Sequence, residues 1–320
     1  MLNKVNFQEK FVIEIFNSFG KKLSEIPWSS KNDTTLAYFD WSADEELYCI
    51  TKKGDIYVYD IKGILKHTFN LYVQVKDCRF FHQSGQFGFV ILNEANRFQS
   101  FSSANSFKSF KYPDPPKSMA DSATTFAWNI GRFANANCPD LIFSVDNEIY
   151  LLSFMRPSYS QLRYQFELKT TKINRIISNL QSDTVLGLYL STGVLMFVEL
   201  NDLNLIYKSE FETKSLSKPS NLIWFCGEAV CITWKDIILI VNAKRKWTTY
   251  HIDEKEPFFI VDEPDGIRII SNKTHEFLEI LSQDIVNIFS VGSEQPGQCV
   301  YRLVILFSCF ICLSASESKV

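Results

Sequence analysis

Residues able to do chemistry are thinly spread along this chain. Its four histidines, His67, His82, His251 and His275, stand singly. Standing singly, they give no sequence support to a metal centre or a catalytic triad. Carboxylates cluster twice, at Asp44-Glu45-Glu46 and at Asp262-Glu263 with Asp265. Such clusters can act as acid/base pairs or hold a cation. No histidine, nucleophile or glycine-rich phosphate loop lies at a motif spacing around them, and solvated turns are the better reading. Lys244-Arg245-Lys246-Trp247 is a basic-aromatic patch suited to an anionic partner or membrane surface, although a charged turn between strands accounts for it more simply. Pro113-Asp114-Pro115-Pro116 fits a PxxP ligand and equally a stiff loop, and the loop is favoured. Cys309 and Cys312 form a lone C-x-x-C with no second pair or nearby histidine, too little for zinc. No catalytic residue, cofactor-binding residue or metal ligand survives, and the chain reads as a non-enzyme without cofactors.

Composition narrows the class. Lys and Arg total 33 against 36 Asp and Glu, a formal charge of −3, which argues against a dedicated nucleic-acid binder. A hydrophobic content of 46% supports an ample core, and 28 Phe with 13 Tyr favour pleated, half-buried surfaces. Residues 1–10 lack the apolar core of a secretory signal. The eight cysteines are irregularly spaced and several fall inside apparent strands, where a free thiol behaves as a small hydrophobe. A reducing, cytosol-facing compartment is expected, and the N-x-T sequons at Asn32 and Asn272 are then chance matches.

The elements holding these residues repeat. Trp41–Tyr59 reads as two short strands, 46–51 and 55–59, with Leu47, Cys49, Ile56 and Val58 alternating with more polar positions. Gly54 supplies the positive φ of a tight turn. Similar hairpins follow at 87–92/97–101, 141–145/148–154, 184–190/193–200, 229–233/237–241 and 267–271/275–281, about 44 residues apart on average. Most have a further strand on each side: 35–41 and 65–70, 76–81 and 107–112, 124–130 and 162–168, 173–179 and 205–211. Four strands in a unit of this length is the signature of a β-propeller blade. No blade carries a Gly-His…Trp-Asp signature or an Asp-box. Trp41, Trp128, Trp224 and Trp234 recur near blade strands and are assigned to packing between blades.

The expectation is therefore an all-β propeller of about six to seven blades with a short helical or irregular C-terminal tail. Five blades are full, a sixth over 258–281 is shorter, and 11–16/21–27 supplies only half of a first blade. The propeller occupies 1–281, and 282–297 begins a helical region with Ile285, Ile288 and Phe289 on one face and Ser282 as cap. Residues 298–320 form an apolar tail with a polar end. Its run 300–313 contains Arg302 and is too short to cross the roughly 30 Å of hydrocarbon that takes about 20 helical residues.

Several phrases resemble one family. Phe39-Asp40-Trp41-Ser42-Ala43-Asp44-Glu45-Glu46-Leu47-Tyr48-Cys49-Ile50, followed by Gly54-Asp55-Ile56-Tyr57-Val58-Tyr59-Asp60, is similar to the N-terminal domain of the vacuolar protein sorting-associated protein 16 family. Phe81-His82 with Gly88–Leu92 and Asn96–Phe98 fits the next blade, and Ile223-Trp224 with Ala229–Trp234 a later one. The longest match is Asp262–Leu278, an Asp-Gly-Ile-Arg hairpin closing on Thr-His-Glu-Phe-Leu; His275 within it is expected to bond locally. The resemblance covers about 11–296. It implies a propeller followed by an α-solenoid, in a core subunit of the class C tethering complexes of CORVET and HOPS type. Those complexes join endosomal, lysosomal or vacuolar membranes for SNARE-mediated fusion.

The implied partners are the other subunits of that core. A Sec1/Munc18-type protein is implied only through the solenoid, and no residue here takes that role. The implied location is cytoplasmic, peripheral on late endosome and lysosome or vacuole membranes through the complex, with no nucleic acid bound. Residues 298–320 match nothing in the family, so a longer reading frame continuing past about Gly297 is expected. Two rivals remain: a propeller hydrolase, which would cluster carboxylates and histidines at the central channel, and a tail-anchored membrane protein.

Overall fold

A computed structural model describes residues 11–17, 20–28, 36–83, 86–103, 109–120, 126–131, 138–162, 171–178, 185–200, 203–209, 219–225, 229–243, 247–252, 258–263, 266–271 and 274–279. Twenty-five strands are present among them, arranged as seven antiparallel sheets in chain order. The half sheet pairs β1 (Phe11–Phe16) with β2 (Lys22–Trp28). Five four-stranded sheets follow. The first runs β3 (Leu36–Trp41), β4 (Leu47–Thr51), β5 (Asp55–Tyr59) and β6 (Leu65–Asn70). The second runs β7 (Val75–Gln83), β8 (Gln86–Asn93), β9 (Phe98–Ser102) and β10 (Ser109–Lys111).

The third comprises β11 (Phe126–Ile130), β12 (Leu141–Val145), β13 (Glu148–Leu152) and β14 (Ser160–Leu162). The fourth comprises β15 (Ile173–Ser178), β16 (Val185–Leu190), β17 (Leu195–Glu199) and β18 (Leu205–Lys208). The fifth comprises β19 (Asn221–Phe225), β20 (Ala229–Thr233), β21 (Ile237–Asn242) and β22 (Trp247–His251). The sixth has three strands, β23 (Phe259–Glu263), β24 (Gly266–Ile270) and β25 (His275–Glu279).

This is a β-propeller, as the repeat predicts. The first strands β7, β11, β15, β19 and β23 lie against one another in succession, and each sheet runs outward from them. The second strands β4, β12 and β20 are buried along their whole length, because a neighbouring sheet covers each of their faces. Outer strands are the reverse, and β6 is exposed throughout. The outer strand of the third sheet is Ser160–Leu162; of the strand expected at 162–168, only Leu162 lies within the described residues. An outer strand is chosen by pairing with β13 and carries no burial pattern of its own.

The core is a series of layers between adjacent sheets. Ile15, Ile26 and Trp28 of the half sheet pack on Leu47 and Cys49 of the first. Phe81, Val90 and Phe98 of the second meet Trp128, Phe143 and Tyr150 of the third, and equivalent layers join the remaining neighbours. All four tryptophans singled out by the repeat sit in such layers: Trp128 and Trp234 buried, Trp41 and Trp224 partly so. Trp28 is a fifth.

Central hairpins also dock the next sheet. The turn after β4 accepts from the connection to β7, with Val75 N–H donating to Lys52 O at 2.8 Å and Leu71 N–H to Gly54 O at 2.9 Å. Gly54 has φ +88°, and a Cβ there would lie 2.3 Å from Val73 O, so glycine is required for both conformation and space. Ile173 N–H repeats the link to Asp146 O at 2.8 Å, where Asp146 also has positive φ.

Candidate functional site: the central channel

Along the propeller axis the first strands of four successive sheets enclose a cavity of about 410 Å³. Asp77 and Arg79 of β7, Asn129 of β11, Arg175 of β15 with the adjoining Asn174, and Asn221 of β19 line it, backed by Ala127, Ile176 and Ile223. Two of these strands carry a bulge at the channel, with Lys76 extra between Val75 and Asp77 and Asn174 extra between Ile173 and Arg175. A bulge re-aims the side chains that follow it. Asp77 accepts from Trp128 Nε1 at 2.8 Å and from the Cys78 N–H at 2.9 Å. Arg79 lies over the Trp128 ring at 5.8 Å and 3.8 Å from Asp77. Asn129 Nδ2 donates to Ile176 O at 3.2 Å, tying β11 to β15.

The channel lining has one carboxylate, Asp77, and no histidine among the described residues. The four histidines are dispersed. His82 Nε2 lies 3.3 Å from Asp40, His275 lies 3.0 Å from Arg268, and His67 and His251 are exposed on outer strands. Among the described residues no three His, Cys, Asp or Glu side chains gather as metal ligands do. Asp44-Glu45-Glu46 is a turn: Glu45 has φ 58°, Glu46 Oε1 pairs with Lys66 at 3.1 Å, and Ser42 N–H donates to Glu46 O. The Asp262–Leu278 phrase is structural as well. Arg268 pairs with Glu263 and stacks on Phe277 at 5.1 Å, directly across the β24–β25 ladder from it. The Arg268 guanidinium holds the Glu263 carboxyl below its ordinary value.

Pro113–Pro116 serves as the connection between the second and third sheets, with Pro116 buried and Asp114 bonded to Arg97 at 3.1 Å. Residues 244–246, Cys309 and Cys312, the sequon asparagines Asn32 and Asn272, Asp265 and the whole of 280–320 lie outside the described residues. No helix among the described residues is long and apolar enough to cross a membrane.

The channel residues escape a linear reading because each first strand contributes only one or a few polar residues, far from the others in sequence.

Cys49, Cys78, Cys138 and Cys231 are free and buried. Burial pushes the Cys49 and Cys231 thiols from 9.0 up to about 12, and Cys78 well above its ordinary value. All four are expected to resist iodoacetamide in the native protein and to react in urea. A raised folded pKa contributes stability that is full below pH 9.0 and is lost as pH rises through about 12. The melting midpoint should therefore fall across that window, and Cys49→Ala with Cys231→Ala should flatten the fall.

Comparison with known proteins agrees with this architecture. The family described as "Vps16, N-terminal region" matches residues 2–308. A vacuolar protein sorting-associated protein 16 homolog of Drosophila melanogaster is 28% identical over 306 residues, covering 91% of this chain and 35% of that protein. Protein VACUOLELESS1 of Arabidopsis thaliana is 23% identical over 308 residues, covering 90% of this chain and 35% of that protein. The chain thus spans about a third of the length of these relatives. Among solved structures, the Cps50 (Swd1) β-propeller domain of Myceliophteria thermophila aligns with TM-score 0.56 and 12% identity, over 85% of this chain and 91% of that one. The C-terminal WD40 domain of Sif2 gives 0.53 and 11%, over 85% and 90%. With its propeller, its Arg268–Glu263 hairpin and a match across residues 2–308, the chain belongs to the Vps16 N-terminal region family.

Proposed function

We propose that this chain is the propeller platform of a non-catalytic scaffold subunit in class C membrane-tethering complexes of HOPS and CORVET type, supporting vesicle fusion and delivery of protein cargo to lysosomes or vacuoles. The observation that carries the reading is the family match over residues 2–308, realised in a succession of packed sheets. A rigid disc with exposed outer strands offers several surfaces to partners without moving parts. Its expected partners are the other core subunits, and a Sec1/Munc18-type protein would be held by solenoid sequence of the kind that follows the propeller in the family. We assign the propeller to 1–281 and the start of the helical region to 282–297. Against the hydrolase reading stands the channel itself, where the one carboxylate among the described lining residues, Asp77, is already engaged by the Trp128 indole. An acid/base pair needs a second titrating group within reach of the same substrate.

Tagging the gene at its own locus tests the membrane relationship. The product should sediment with late endosomal and lysosomal or vacuolar membranes and be released by alkaline carbonate. Retention in the carbonate pellet would reject peripheral association in favour of an anchor.

A further inference from the structure

The channel has a charge that the scaffold reading does not use. Its lining includes Lys76, Arg79 and Arg175 against the single carboxylate Asp77, in a chain whose formal net charge is −3. The Lys76 ammonium is occupied at Asn96 Oδ1, 2.9 Å away. The two guanidiniums are differently placed. Among the described residues no hydrogen bond or ion pair engages the Arg175 side chain, although it sits half-buried on a first strand. Arg79 Nε is enclosed without an acceptor among the described residues, and Arg79 Nη2 lies 3.8 Å from Asp77 Oδ2, which already receives the Trp128 indole N–H while Oδ1 receives the Cys78 N–H. An enclosed donor without an acceptor is costly in a folded protein, while the rest of the Arg79 guanidinium stays open at the cavity wall.

We propose that this channel binds a small phosphate ester bearing several anionic oxygens, gripped by Arg79 and Arg175, with the amides of Asn129, Asn174 and Asn221 as neutral partners. The argument is one of valence and geometry. Each guanidinium fork matches two oxygens of a phosphate. Forks arriving from β7 and from β15, on separate sheets, call for a ligand with more than one such edge, which a lone carboxylate lacks. Asn221 arrives from a third sheet, so hydrogen-bonding groups surround the ligand in the ring. At about 410 Å³ the cavity falls within the roughly 300–1,000 Å³ range of small-molecule sites. Its half-buried setting strengthens charge pairing relative to open water. This site is independent of complex membership, so its failure would leave the scaffold reading untouched.

Isothermal titration of the purified chain with inositol hexakisphosphate, and separately with inorganic phosphate, tests it. The inositol compound should bind at one site per chain, far more tightly than inorganic phosphate, and weaken as salt is raised. Arg175→Gln should weaken it by about tenfold or more, the loss expected for hydrogen bonds to a charged group. Arg175 has no partner to lose, so the variant should melt as wild type does, while Lys62→Gln on an exposed turn should bind unchanged. Vesicles of phosphatidylcholine with and without a phosphoinositide then separate the sources. Arg175-dependent vesicle binding assigns the ligand to a lipid headgroup, and binding in solution alone assigns it to a free ester. Failure of the wild type to bind, or equal binding by Arg175→Gln, overturns the proposal.

Discussion

Gly88→Ala is expected to destabilise the protein by about 3 kcal/mol or more, at the upper end of overpacking costs, and to leave much of it insoluble. Gly88 lies in β8, paired with Phe81 on one side and Ser102 on the other. A Cβ there would stand 2.3 Å from Phe81 Cζ and 2.4 Å from Phe101 O. The ring could turn only by leaving its place in the layer facing the third sheet, where Phe81 is 1% exposed. The carbonyl belongs to β9 and moves only if the ladder does. Gly187→Ala is the matched control, also mid-strand, because its Cβ meets nothing nearer than Ile177 at 3.4 Å. That change should be neutral or mildly stabilising, since alanine loses less backbone entropy than glycine on folding. Urea unfolding of the two variants side by side checks the contrast. Equal midpoints would show that the approach of Phe81 and Phe101 to Gly88 is not as described.

Phe143→Ala should cost about 3–5 kcal/mol, the usual range for deleting a fully buried ring. Phe143 is completely buried in β12, stacked on Tyr150 at 5.1 Å, with Phe126 at 6.1 Å and Phe98 of the second sheet at 6.2 Å. Removing it hollows the layer between two sheets, and backbone pairing on both sides of β12 limits collapse into the space. At roughly 2–4 °C per kcal/mol the melting midpoint should drop by about 10 °C. Tyr72→Ala, at a side chain that is 92% exposed, should shift it by less than about 1 °C. A Phe143 variant that melts with the wild type would mean the sheets are not packed through this layer.

Much of this architecture was legible because propeller hairpins repeat. The strands at 141–145 and 229–233 are sandwiched between sheets and read as largely apolar runs closed by a polar turn, whereas 47–51, read as alternating, is buried along its whole length because sheets cover both of its faces. Turn chemistry was equally readable: Gly54, Asn96, Asp146 and Gly193 take the positive φ that their residue types permit. The outer strands offer less to read: β6 lies at 65–70 as the repeat predicts although it is exposed throughout, and all but Leu162 of the strand expected at 162–168 lies outside the described residues. The channel was not legible at all. Arg79, Asn129, Arg175 and Asn221 are separated by about 50 residues each, and only the circular arrangement of first strands brings them to one cavity. The clusters that looked most chemical in the sequence, Asp44–Glu46 and Asp262–Glu263, became a turn and a salt-bridged hairpin instead.

The central claim is that this propeller works as part of a tethering scaffold, and affinity purification of the polypeptide tagged at its own locus tests it most directly. The predicted result is recovery of the other class C core subunits in fixed ratio, from any form in which helical sequence continues past the propeller. Recovery of such an extended form without any of those subunits would contradict the account.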